Sequence, residues 1–229
     1  LGVGGSSSDA IFTEYFNCSG ENCSLLNNGP PNADAVPNPV SALPNDNNGV
    51  VVSLPSVAAD GQETVNGTLY FGIGTQSDNQ PGPVDIYREN SNVDSEDYLD
   101  INTVYNGITA GGFFDTGSAL YFFNDSSIKE CSNASGLGGL YCPADTLSKS
   151  ATNKSVSGSV SRAVTFSISN AETLLNSNNA AFDNLGATND GKSKFDGFDW
   201  GLPFFFGRTV YLGIDGSSSP LGTGPYTAY

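Results

Sequence analysis

Histidine and methionine are both missing from this 229-residue chain, and cations are scarce: 8 Lys and Arg stand against 24 Asp and Glu, a formal charge of −16. Each absence removes a chemistry. Without histidine there is no Ser-His-Asp or Cys-His nucleophile system within the chain and no His-ligated zinc. Eight dispersed basic residues under that much negative charge do not supply the phosphate contacts that hold nucleic acid. The same charge is repelled by an anionic membrane surface. No run of about 18 apolar residues occurs, so no membrane-spanning helix is expected. Charged residues make up only 14% of the chain, against roughly a quarter in an ordinary soluble domain. Residue 1 is not Met, and it is expected to be a processed or truncated end, with no signal peptide following it.

What is there is a core-forming set in a turn-rich background. Hydrophobic residues are 38% of the chain, with 14 Phe, 10 Tyr and one Trp, beside 28 Gly and 12 Pro. The length suits one large domain or two small ones. Cysteines fall in two close pairs, Cys18 with Cys23 and Cys131 with Cys142. Four cysteines allow three connectivities, which sequence does not decide between; the local loops are easiest to close, which favours Cys18–Cys23 and Cys131–Cys142. Their spacings are not those of zinc knuckles, and neither a metal nor a cofactor is expected. Paired cysteines with little Lys and much Asn, Ser and Thr point to an oxidising compartment, secreted, extracellular or cell-envelope. The Asn-x-Ser/Thr sequons at Asn17, Asn22, Asn66, Asn124, Asn133 and Asn153 are about what this composition yields by chance.

Residues 1–48 read as a loop-rich segment, carrying Gly4-Gly5-Ser6, Pro30-Pro31, Pro37-Asn38-Pro39 and Asn45-Asp46-Asn47-Asn48-Gly49. A connection this long is uncommon inside a domain and suggests a linker. Residues 49–229 read as β-rich. Strands are expected at Val50–Leu54, Gly67–Gly74, Tyr98–Tyr105, Leu120–Phe123, Ala163–Ile168, Leu202–Phe206 and Thr209–Ile214. Asn106-Gly107 after Tyr105 is a strong hairpin signal. Ala171–Leu175 and Ala180–Leu185 each suit a turn or two of helix. The fold class is therefore all-β. Among the acids, Asp94-Ser95-Glu96-Asp97 reads as a solvated cluster rather than a calcium loop, and Arg208 as one half of a structural ion pair. Gly72-Ile73-Gly74 is not a dinucleotide loop, since no helix follows it. Phe204-Phe205-Phe206 and Trp200 read as core.

The sharpest chemical signal is Phe113-Phe114-Asp115-Thr116-Gly117-Ser118, an apolar strand that runs into a carboxylate on a tight loop. Asp-Thr-Gly is also an ordinary turn sequence, so its flanks matter. The segment resembles the catalytic loop of aspartic peptidases. Gly67-Thr68-Leu69-Tyr70-Phe71-Gly72, Tyr98 to Tyr105, Arg162 to Ile168, Asp199 to Arg208 and Tyr211 to Asp215 resemble, in order, strands of the C-terminal lobe of a pepsin-like enzyme. Leu1-Gly2-Val3-Gly4 and Asn38-Pro39-Val40 resemble the end of the first lobe and the stretch between lobes. The chain as a whole resembles an uncharacterised bacterial family of secreted proteins and lipoproteins. It does so through Asp46-Asn47-Asn48-Gly49-Val50, Phe71 to Ser77, Asp115-Thr116-Gly117-Ser118, Tyr141-Cys142-Pro143-Ala144 and Phe198 to Arg208.

The resemblance implies that Asp115, Thr116, Gly117 and Ser118 form a catalytic loop supported by Gly201 and Leu202. It also implies a Cys131–Cys142 disulfide in the region after Asp115. Aspartic peptidases work with two carboxylates sharing a water, one charged and one protonated. Only Asp115 lies in such a motif, and the other acids read as mostly solvated. The expected function is a secreted aspartic-peptidase-like protein acting on polypeptide. Its second carboxylate comes from a missing N-terminal lobe or another copy of the chain. The alternative is a non-catalytic extracellular module that binds or forms filaments, with residues 1–48 joining a neighbour by strand addition.

Overall fold

A computed structural model of the chain describes residues 4–9, 15–26, 34–93, 95, 97–189 and 197–229. The first elements are β1 (Phe16–Ser19) and β2 (Asn22–Leu25), an antiparallel hairpin in which every residue is exposed. Cys18 faces Cys23 across the hairpin and the two are joined, while Gly20 opens the two-residue turn at φ 64°. A hairpin within the segment expected to be loop is thus held by a covalent cross-link rather than by burial. Strands β3 (Gly49–Ser53) and β4 (Thr68–Phe71) follow, then β5 (Ile86–Arg88). Next come β6 (Ile101–Tyr105) and β7 (Ile108–Asp115), joined through Asn106 and Gly107 at φ 49° and 80°. Both central residues at positive φ make the tight turn that matches strand twist.

Beyond Asp115 come β8 (Tyr121–Phe122), β9 (Leu147–Lys154) and β10 (Ser161–Ile168). Then come α1 (Ala171–Leu175), β11 (Gly186–Ala187), β12 (Phe198–Gly201) and α2 (Leu202–Phe205). The chain closes with β13 (Thr209–Gly213), β14 (Ser218–Ser219), β15 (Gly222–Thr223) and β16 (Tyr226–Ala228). Seven strands form one sheet in the order β10-β9-β6-β7-β12-β8-β11, and five form a second in the order β4-β3-β13-β16-β5.

Apolar faces of the two sheets share one core. Trp200 is fully buried and stacks on Phe198 with ring centroids 4.1 Å apart, and Phe166 meets Trp200 edge-on. Phe204 and Phe205 of α2, with Val50 and Val210 of the second sheet and Ile214 just beyond β13, complete the contact. Each such ring contributes roughly 2–3 kcal/mol on leaving water. The Trp200 Nε1 donates to Thr103 Oγ1 (3.2 Å), and Thr103 donates to Asn153 Oδ1 (2.8 Å). A buried indole N–H therefore keeps a partner. A smaller core lies around the Cys131–Cys142 disulfide, with Ala171, Leu174, Phe182 and Leu185.

Three expectations are corrected, and one strand is added. Leu202–Phe206 is not a strand: residues 202–205 are a helical turn with Pro203 near its start. Proline lacks the N–H a ladder needs, and its fixed φ suits the first turn of a helix. The stretch 180–185 is not helical; Ala180 and Ala181 donate to the Gln62 carbonyl instead. Arg208 forms no ion pair among the described residues. It donates to the Phe204 carbonyl and lies 4.4 Å from the centre of the Phe204 ring. Strand β9 was not anticipated, because its inward positions are Ala151 and Asn153 rather than large apolar residues.

Candidate functional site: a carboxylate loop over a strand end

β7 and β8 are consecutive, yet they are not neighbours. Strand β12 lies between them, parallel to β7 and antiparallel to β8. The chain from Asp115 to Leu120 therefore crosses the end of β12, where Asp115 is in register with Gly201. A Cβ at Gly201 would lie 2.0 Å from the Leu120 carbonyl oxygen and 2.7 Å from that of Ser118. Only glycine allows the loop to approach that closely. The Leu202 N–H donates to the Ser118 carbonyl (2.7 Å), fastening the loop to the helical turn beyond. Gly201 and Leu202 are thus brought against the Asp115–Ser118 loop.

The Asp115 carboxylate is held by its own loop. Gly117 N–H donates to Oδ1 (2.7 Å) and Ser118 Oγ donates to Oδ2 (3.0 Å). Asp115 is partly exposed at the end of β7, followed by a partly buried Thr116 and an exposed Gly117. Both carboxylate oxygens have donors, and the group still faces solvent. That combination fixes orientation without sealing the acid away.

A second carboxylate lies behind the first. Asp199, in β12 opposite Phe113 of β7 and Phe122 of β8, is only 8% exposed. Its Oδ1 has no hydrogen-bond partner among the described residues. Burial pushes its carboxyl up to about 7, against the lowering effect of the Ser118 hydroxyl, and the charge on Asp115 adds to the rise. Ser118 therefore sits between the loop carboxylate and the buried one. Asp199 stood in the Phe198 to Arg208 motif, but its role was not anticipated. What buries it are strands far away in sequence, so only its unusual place in an otherwise apolar run (Phe198, Trp200) could have flagged it.

A cleft of about 400 Å³ opens above Asp199. Its walls include Phe113, Phe122, Leu140 and Ala187, with the backbone edges of Gly138, Gly139 and Gly197.

Other acids also depart from the solvated reading. Asp125 is buried and accepts from Tyr105 Oη (2.6 Å), Ser127 N–H (3.0 Å) and Oγ (2.6 Å), and Lys149 Nζ (2.9 Å). Burial alone would raise its carboxyl. The hydrogen bonds from Ser127, Tyr105 and Lys149 win, and hold it well below the usual carboxylate range. Asp100 is pushed up to about 7 by burial and then by the charge of Asp97. Partly buried Glu89 is pushed up to about 8, first by burial, with Asp100 and Asp215 adding to it against a hydrogen bond from Thr227. Asp94 and Glu96 of the acidic cluster lie outside the described residues. Among those described, no three Cys, Asp or Glu side chains are arranged to hold a metal ion.

The molecule is an all-β protein of two large sheets and two two-stranded ones, with two disulfides and a carboxylate-bearing loop over a buried strand end. Comparison with known families matches residues 3–229 to the family described as Protein of unknown function (DUF3443). The chain belongs to that family. No curated protein matches it, and no solved structure does. No helix among the described residues is long and apolar enough to cross a membrane.

Proposed function

We propose that the protein is a secreted or envelope aspartic-peptidase-like hydrolase in which Asp115 is one of two catalytic carboxylates. The carrying observation is the Asp115 loop itself: a carboxylate oriented by Gly117 N–H and Ser118 Oγ, partly open to solvent, over a strand end that only glycine permits. Such a group suits the base that takes a proton from an attacking water while a second, protonated carboxyl donates to the scissile carbonyl. Asp199 does not fill that second place. It is 8% exposed, and the Ser118 hydroxyl stands between it and Asp115. The partner carboxylate comes from a preceding lobe or from a second copy, and the pepsin-like lobe is the architecture this reading implies. The two disulfides support an oxidising compartment.

The test is binding of a peptide carrying a hydroxyl-bearing tetrahedral isostere of the scissile amide, which resembles the transition state and binds tighter than substrate. The native protein should bind it, and Asp115→Asn should bind at least about tenfold more weakly. Equal binding to both would remove Asp115 from the chemistry. A second reading, a non-catalytic extracellular binding module, is favoured by one observation: the β1–β2 hairpin stands fully exposed, with Phe16 and Leu25 paired on it at 54% and 43% exposure.

A further inference from the structure

We propose that the cleft floored by Asp199 is a subsite for a basic side chain of a polypeptide, a lysine ammonium or an arginine guanidinium. The polypeptide as the source of that cation rests on the hydrolase reading; the affinity of the cleft for the cation does not. Buried polar atoms in native proteins are nearly always paired, and an unpaired one needs an explanation. Asp199 Oδ1 is such an atom: the residue is 8% exposed and the oxygen has no partner among the described residues. The residue lines a cleft of about 400 Å³, which is ample room for one long side chain, and the oxygen itself is buried just behind that lining.

The walls fit the rest of such a group. Phe113, Phe122, Leu140 and Ala187 offer apolar surface for an aliphatic stem, and Lys and Arg bury their methylenes along such surface while the charged head seeks an acceptor. A neutral donor would satisfy the oxygen but leave two carboxyl groups facing each other across Ser118. A cation relieves both. It compensates the burial of Asp199 and offsets the repulsion from Asp115, the two causes that raise the Asp199 carboxyl. Among the described residues, the other charged groups on this face of β7 are Asp115 and, against Gly111, Asp97 and Asp100. Tyr121 of β8 is opposite Trp200 and so lies on the other face. The formal charge of −16 draws cations toward the molecule as a whole.

The proposal predicts coupled binding and proton release. Titration calorimetry with n-butylammonium and n-butylguanidinium, and with n-butanol as the uncharged control, reads it directly. Both cations should bind at about pH 8 and lose affinity by about pH 5, either side of the Asp199 value of about 7. The alcohol should not bind. Asp199→Asn should weaken the cations by about tenfold or more. Thr188→Phe, at the cleft wall, should block them with Asp199 intact, which covers the case in which Asp199→Asn fails to fold. Short acetylated peptides with one Lys or Arg, against the same peptide with norleucine, separate polypeptide from small amine. Tighter binding of the basic peptide supports the proposal; binding of the small cation alone overturns the polypeptide part of it. No cation binding, or binding unchanged by both variants, overturns the subsite. Basic-peptide binding without cleavage leaves the subsite and sinks the hydrolase reading. Cleavage at acid pH by a protein that binds neither cation nor basic peptide at about pH 8 does the reverse.

Discussion

Two aspartates show how burial decides what a carboxyl group does. Asp125 is surrounded by donors: Tyr105, Ser127 and Lys149 all point at it. Asp199 has an oxygen with none among the described residues. The first is therefore a structural anion, and the second is left with an acceptor unmet among the described residues. Replacing Asp125 by Ala strands the Tyr105 hydroxyl and the Lys149 ammonium, which is 20% exposed. The expected loss is about 2–3 kcal/mol in chemical denaturation, below the full cost for a wholly buried pair because Lys149 reaches water. The native contribution of Asp125 should be complete above about pH 4 and disappear as pH falls through its lower folded value. An Asp125→Ala chain whose midpoint matches the native one would show that the donors are held by something else.

Elements carry the carboxylate loop, and two of them can be tested independently. Gly201→Ala places a methyl group into the Leu120 and Ser118 carbonyls, where neither atom is a flexible side-chain end. It should cost about 3 kcal/mol or more and displace the Asp115 loop, visible as amide shifts at Gly117 and Ser118. Retention of native stability would mean the loop does not lie over β12. The two disulfides should behave differently. Cys131–Cys142 packs against Leu174, Phe182 and Leu185, so replacing both cysteines with Ser should cost about 2–4 kcal/mol. The Cys18–Cys23 hairpin is exposed throughout, and its double Ser variant should leave the melting of the sheets within about 0.5 kcal/mol of native.

The elements also differ in how much of them can be read from sequence. β6 and β7 were legible because alternation and Asn106-Gly107 are local signals. β9 was not, because Asn153 is tolerated inside only through Thr103 and Tyr229, which the fold brings from elsewhere. Phe204 to Phe206 is apolar in either a strand or a helical turn, and only Pro203 hinted at the outcome. The Asp115 loop was visible as a motif. The insertion of β12 between β7 and β8, and with it Asp199 behind Ser118, needed the three-dimensional pairing.

At the scale of the whole molecule, the raised carboxyls set a pH preference. Asp100 and Asp199 sit at about 7 and Glu89 at about 8, against about 4 in an unfolded chain. Between those values the folded state binds more protons than the unfolded one, so stability falls as pH rises from about 4 to about 8 and then levels off. Below about pH 4 the Asp125 contribution fades instead. Thermal melting should therefore show its maximum on the acid side, near pH 4 to 5. The only tryptophan, Trp200, is fully buried at the centre of the core and reports the transition by fluorescence. A maximum at neutral pH would contradict the three raised carboxyls. An acid-stable fold accords with acid–base work by carboxylates alone, one hydrolytic chemistry that needs no histidine.

The most direct test of that chemistry is cleavage of an unfolded polypeptide at acid pH by the full-length native protein beside its Asp115→Asn variant, with products identified by mass. The native protein should cut at defined bonds, and Asp115→Asn, with its melting curve preserved, should lose at least about a thousandfold in rate. Equal cleavage by the two proteins, or none by the native one, would contradict a catalytic Asp115.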